Sequence, residues 1–67
     1  MDIAHAVEAA ADIDPSTGLR AVAVLRRLCD DLERSQVRRA RALGWSWQQI
    51  GDALGTSRQA VHKKHRR

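Results

Sequence analysis

Phenylalanine and tyrosine are absent from this chain of 67 residues, and tryptophan occurs only twice. Any interior must therefore be aliphatic. A single cysteine, Cys29, excludes an internal disulfide and leaves no thiolate set for a four-ligand zinc site. No run approaches the roughly 18 apolar residues of a membrane span. Residues 1–10 place acidic side chains where a secretory leader would be basic, so the cytoplasm is the expected location. A chain this short buries roughly 60% of its unfolded surface. That allows one modest core, but neither a large enclosed active site nor a separate sensor domain for a small-molecule ligand.

Catalytic constellations are missing as well. No serine, cysteine or carboxylate stands beside a histidine in a strand-turn context, and there is no glycine-rich phosphate loop. Asp30 and Asp31 are adjacent, so they do not share a helix face. His62 and His65 have a helical spacing that can bind metal, but no Cys, Asp or Glu accompanies them nearby in sequence. No enzyme activity, cofactor or metal is expected. A membrane-surface helix is not expected either, because the strongest apolar stripe and the basic residues lie in different parts of the chain.

The charge is strongly divided. Residues 1–33 carry three arginines against seven carboxylates, a net of −4, whereas residues 34–67 carry nine basic residues against Asp52 alone, a net of +8. A basic half on so short a chain is a footprint for a polyanion, the bland alternative being a solvated basic face.

Periodicity predicts helix almost throughout. Ile3, Ala6, Val7, Ala10 and Ala11 give residues 2–12 one apolar face, with Asp2 as its cap. That helix is too short to be stable alone, so it must dock. Asp14-Pro15-Ser16-Thr17-Gly18 is the clearest break. Residues 19–43 then form a long helix with the stripe Leu19, Val22, Leu25, Cys29 and Leu32, resumed at Val37, Ala40 and Leu43. Either it breaks near Ser35-Gln36, or its first half has a partner outside the domain. Cys29, on that stripe, is expected to be a buried thiol. Gly44 occupies a helix-terminating position, with Arg38, Arg39 and Arg41 in the last turns. Ser46 and Gln49 form a capping box, and Trp45 and Ile50 can form a hydrophobic staple around it. Gly55 ends that third helix, and Thr56 or Ser57 caps a fourth carrying Ala60 and Val61. Trp47 is expected to pack on the core, the alternative being its indole N–H on a phosphate.

The run Trp47-Gln48-Gln49-Ile50-Gly51-Asp52-Ala53-Leu54-Gly55-Thr56-Ser57-Arg58-Gln59-Ala60-Val61-His62 resembles the helix-turn-helix of bacterial DNA-binding regulators. It is most similar to small actinobacterial DNA-binding proteins and to the sigma-factor region that reads the promoter −35 element. The resemblance implies that Ile50 and Leu54 face the core, that Gly51 permits close helix crossing, that Gly55 makes the turn and that Val61 anchors the second helix. The family's last core position, usually aliphatic, falls at Lys64. The final turns are therefore expected to lie on DNA or to fray. The motif covers about 20 residues, and residues 1–33 fall outside it.

The expected architecture is an all-α bundle of about four helices in one domain, ending in a helix-turn-helix. Residues 1–33 would pack or dimerise and residues 34–67 would bind DNA. A glycine-turned helix pair presents the N-terminus of its second helix outward. Ser57, Arg58, Gln59, His62 and Lys63 are the candidates for base contacts, since Arg pairs with guanine and Gln with adenine in the major groove. Arg38, Arg39, Arg41, Trp47, Thr56, Lys64, Arg66 and Arg67 are the candidates for phosphate contacts. Val22, Leu25, Cys29 and Leu32 would supply a homodimer interface, the counter-case being a monomer folded back at Pro15. The expected partner is double-stranded DNA, read sequence-specifically in transcription regulation. The alternatives are an adaptor with a protein partner and a non-specific, nucleoid-like DNA binder.

Overall fold

The structure, a computed structural model, describes residues 2–66. It is all-helical, with no strand among the described residues: α1 Ile3–Ala10, α2 Pro15–Ala42, α3 Trp47–Leu54 and α4 Arg58–His65. None of these helices is long and apolar enough to cross a membrane.

Short polar side chains start the helices. Asp2 caps α1 by accepting from the His5 amide at 2.7 Å. Asp14 accepts from the Ser16 amide and the Thr17 hydroxyl at the start of α2. The break between α1 and α2 is therefore shorter than the sequence predicts: Pro15 is the first residue of α2, and Ser16, Thr17 and Gly18 are already helical. The physical reason is that proline has no N–H to lose in a first turn, and its fixed φ suits that position.

α2 continues unbroken through Ser35 and Gln36. It stops where Gly44 adopts φ +89°, with Trp45 N–H donating to Ala40 C=O at 2.9 Å and Gly44 N–H to Arg41 C=O at 3.0 Å. Those paired bonds form a Schellman stop and satisfy two orphan carbonyls. α3 repeats the device: Gly55 has φ +72°, and Thr56 N–H donates to Gly51 C=O at 2.9 Å. The capping box forms as expected. Ser46 Oγ accepts from the Gln49 amide at 3.1 Å, and Gln49 Oε1 accepts from the Ser46 amide at 2.8 Å. Ser57, rather than Thr56, caps α4 by accepting from the Ala60 amide at 3.1 Å.

The chain forms two compact units, Met1–Leu32 and Glu33–Arg67, divided within α2 beside the change in charge. In the first unit, Ala6, Gly18 and Ala21 are buried. A Cβ on Gly18 would stand 3.5 Å from the carbonyl oxygens of Ala10 and Asp12, so α1 and α2 approach through small residues. Ile3 and Val7, expected on the docked face, are more than half exposed. Val22 and Leu25 are half-buried, whereas Cys29 and Leu32 are exposed. The expectation of a buried Cys29 thiol is thus corrected. α1 is eight residues, about 12 Å long, against the 28 residues of α2, and cannot cover the whole stripe from its approach at Gly18. Cys29 and Leu32 lie beyond its reach.

The core of the second unit is Val37 of α2, Ile50 of α3 and Val61 of α4, flanked by Ala40 and Trp47. Two further expectations are corrected here. Trp45, expected as a core staple, is 41% exposed, whereas Trp47 packs on the core as expected. Trp45 follows the left-handed Gly44 outside either helix, while Trp47 opens α3 on the same face as Ile50 and Gly51. Leu54, expected to face the core, is 44% exposed because it ends α3 beyond the Val37–Ile50–Val61 cluster. Leu43, the expected end of the α2 stripe, is exposed for the related reason that it lies past the last residue of that helix.

Candidate nucleic-acid interface

α4 has two unlike sides. Val61 is buried against Ile50 and Val37, and Lys64 and His65 fall on the same side toward α2. Arg58, Gln59, His62 and Lys63 are exposed, with Gln59 and Lys63 opposite Val61 on the helix circumference. This follows from sequence: one β-branched anchor at 61 fixes the inner side, and the 3.6-residue period turns Gln59 and Lys63 outward, while Arg58 is exposed as the first residue of the helix.

The register of α4 is set by its approach to α3. A Cβ on Gly51 would lie 2.9 Å from the Thr56 carbonyl oxygen and 3.2 Å from both the Arg58 amide nitrogen and the Ser57 carbonyl carbon. All three are backbone atoms and cannot rotate aside. Gly51 is therefore the position through which the turn 55–57 reaches the side of α3. The Ser57 hydroxyl is occupied as the α4 cap, so this candidate base contact already has a structural duty.

Trp47 joins three elements. The Arg41 guanidinium carbon lies 4.7 Å from the Trp47 ring centroid, and the His62 ring centroid lies 5.0 Å from it at a tilt of 31°. Arg41 Nη1 also donates to the Trp45 carbonyl at 2.8 Å. An exposed cation–π contact contributes about 0.5–1 kcal/mol. Two candidate DNA-contacting side chains, Arg41 and His62, are thus held against the same indole. Among the other candidates, Thr56 is exposed in the turn, and Arg39 borders an apolar groove that includes Leu43, Trp45, Ala53 and Leu54. Arg38, Lys64 and Arg66 border a second cleft together with Arg34. Arg67 lies outside the described residues.

The end of α4 corrects another expectation. His65 Nε2 is 2.6 Å and Lys64 Nζ 2.9 Å from Glu33 Oε2, and the His65 side chain is only 5% exposed. The last turn therefore does not fray: a polar tie to α2 stands where the family pattern places an aliphatic residue. No local spacing could reveal it, because Glu33 and His65 are 32 positions apart. The apolar groove and Arg34's place in the basic cleft were invisible for the same reason. In the sequence Glu33 simply ends the acidic run with Asp30 and Asp31 at the boundary of the basic half.

The Lys64 ammonium, then the His65 ring, hold the Glu33 carboxyl below the usual glutamate range, against an opposing push from burial. A lowered folded-state pKa means that ionised Glu33 favours the fold. Its contribution is complete above the unfolded pKa, about 4.3, and is lost as pH falls through the lower folded value. Melting temperature measured from neutral to acid pH should drop in that window, and Glu33→Gln should flatten this part of the drop. An unchanged profile in the variant would refute the tie.

No family model, curated protein or solved structure matches this chain. Its functional reading rests on the residues and their placement.

Proposed function

We propose that the chain binds double-stranded DNA sequence-specifically and acts in transcription regulation, with α3 and α4 as a helix-turn-helix. The observation that carries this reading is the exposed start of α4, Arg58 and Gln59, on a helix fixed from behind by Val61 and capped by Ser57. The two side chains have the geometry for guanine and adenine edges respectively, and each bidentate pair discriminates by about 1–3 kcal/mol. His62 and Lys63 extend the same face. Arg38, Arg39, Arg41, Thr56 and Arg66 supply charge or hydrogen bonds for the phosphate backbone, which sets affinity rather than sequence. Nothing in this reading calls for catalysis, and its setting is the cytoplasm.

The same reading makes the molecule a homodimer. One α4 spans few base pairs, and pairing places two of them on half-sites about 34 Å apart. Leu19, Cys29 and Leu32 are exposed along α2 and offer apolar surface for a second copy, continuous with half-buried Val22 and Leu25.

Arg58→Ala and Gln59→Ala, measured on a duplex recovered by selection, should each lower preference for the selected base by about 1–3 kcal/mol. Their salt slopes should change less than their sequence preference. Uniform weakening on every sequence would instead support a non-specific DNA binder. The second reading, a protein adaptor, is favoured by the groove that leaves Leu43, Trp45 and Leu54 exposed. It predicts weak, sequence-blind DNA binding beside a tight protein partner.

A further inference from the structure

We propose that the cleft between the second half of α2 and the end of α4 is a binding site for one phosphate group. Arg34 and Arg38, one helical turn apart on α2, border it from one side. Lys64, His65 and Arg66 border it from the other, and Val37 forms its floor. The cleft has a volume of about 210 Å3, and no carboxylate is among its lining residues. Glu33, the acid bound to Lys64 and His65, does not line it.

The chemistry suits a phosphate. Guanidinium groups present planar pairs of N–H donors that match two phosphate oxygens, and three arginines border this one cleft. Lys64 adds a compact ammonium. Arg34 had no place among the candidate contacts read from sequence. Here it stands in the same cleft as Arg38 and Arg66.

A phosphodiester of a DNA strand and a free phosphate can each present a pair of anionic oxygens to a guanidinium. The inference deepens the DNA-binding reading without needing it, because either source can fill the cleft.

Two arms on the full chain separate these sources. In the first, inorganic phosphate is titrated at constant ionic strength while the arginine Nε–H and backbone amide signals are followed by NMR. Saturable shifts are expected at Arg34, Arg38 and Arg66 and not at Arg58, with loss in Arg34→Gln and Arg38→Gln. In the second, duplex affinity is measured against salt. If a DNA phosphate occupies the cleft, each of these variants lowers the slope of log affinity on log salt by about 1 and leaves base preference intact. Saturation with an unchanged duplex slope assigns the cleft to a free phosphate. Saturation by phosphate in a chain that binds no duplex keeps the site and defeats the DNA-binding reading. A reduced slope alone assigns the cleft to the duplex backbone. Neither saturation nor a slope change, in variants whose circular dichroism matches the parent, overturns the proposal.

Discussion

Ile50→Ala is expected to destabilise the unit formed by residues 33–67 by about 2–5 kcal/mol. That unit has only three buried large aliphatic side chains, Val37, Ile50 and Val61, and Ile50 is the largest. A core in a chain this small supplies about 3–5 kcal/mol in all. The cost is thus comparable to the whole stability, and most molecules should lose α3 and α4 at room temperature. Thermal melts by circular dichroism would measure it, with tryptophan fluorescence reporting the release of Trp47 from the core. Ile50→Val, expected to cost about 0.5–1.5 kcal/mol, should stay folded. A loss below about 1 kcal/mol for the alanine variant would contradict the three-residue core, since it would mean that removing most of the side chain leaves no cavity.

Gly51→Ala carries the second large effect. Its Cβ would enter at 2.9 Å from the Thr56 carbonyl oxygen, with the Arg58 amide nitrogen and the Ser57 carbonyl carbon at 3.2 Å. Alanine gains about 1 kcal/mol over glycine in helix propensity. Overpacking against fixed backbone costs about 1–3 kcal/mol or more. The second term wins because the obstructing atoms belong to the turn and the first residue of α4, which can yield only by displacing the helix. Gly18→Ala is the control. Its Cβ meets backbone oxygens at 3.5 Å, an ordinary contact, and it keeps the propensity gain of about 0.5–1 kcal/mol. Urea titrations of the two variants should therefore show opposite signs. If both stabilise, the close crossing of α3 and α4 is not as tight as described. Gly51→Ala should also degrade DNA preference before it abolishes the helices, because Arg58 and Gln59 begin the displaced element.

Local chemistry makes much of this fold legible in the sequence. The Ser46–Gln49 capping box, the Asp2 cap, and the stops at Gly44 and Gly55 depend on residues three to five positions apart, and each forms as its residue types demand. Val61 is buried and Gln59 and Lys63 are exposed, as one anchor on a 3.6-residue period requires. What failed depended on how far neighbours reach. Cys29 sits on the right stripe but beyond the end of α1, and Leu54 and Leu43 lie past the core they were expected to join. Trp47 packs on the core as expected, but Trp45 does not, because a hydrophobic staple has the same spacing whether or not a third element covers it. Trp45 has no such cover, whereas Trp47 has Val37, Arg41 and His62 around it. The Glu33–Lys64–His65 tie was the least legible feature, being a contact between distant positions whose local contexts read as ordinary surface helix.

The proposed role stands on the difference between charge and order. Basic residues after position 33 explain attraction to any polyanion. Only a rigid, outward start of α4 explains discrimination among sequences. Selection of the full chain against random duplexes at about 0.15 M salt separates the two most directly. The account predicts an enriched motif, in two copies about one helical turn apart if α2 pairs with a second chain. Its enrichment should be altered by Arg58→Ala or Gln59→Ala. Recovery of no motif from folded protein would contradict it, leaving a binder of phosphate backbones or a protein adaptor in its place.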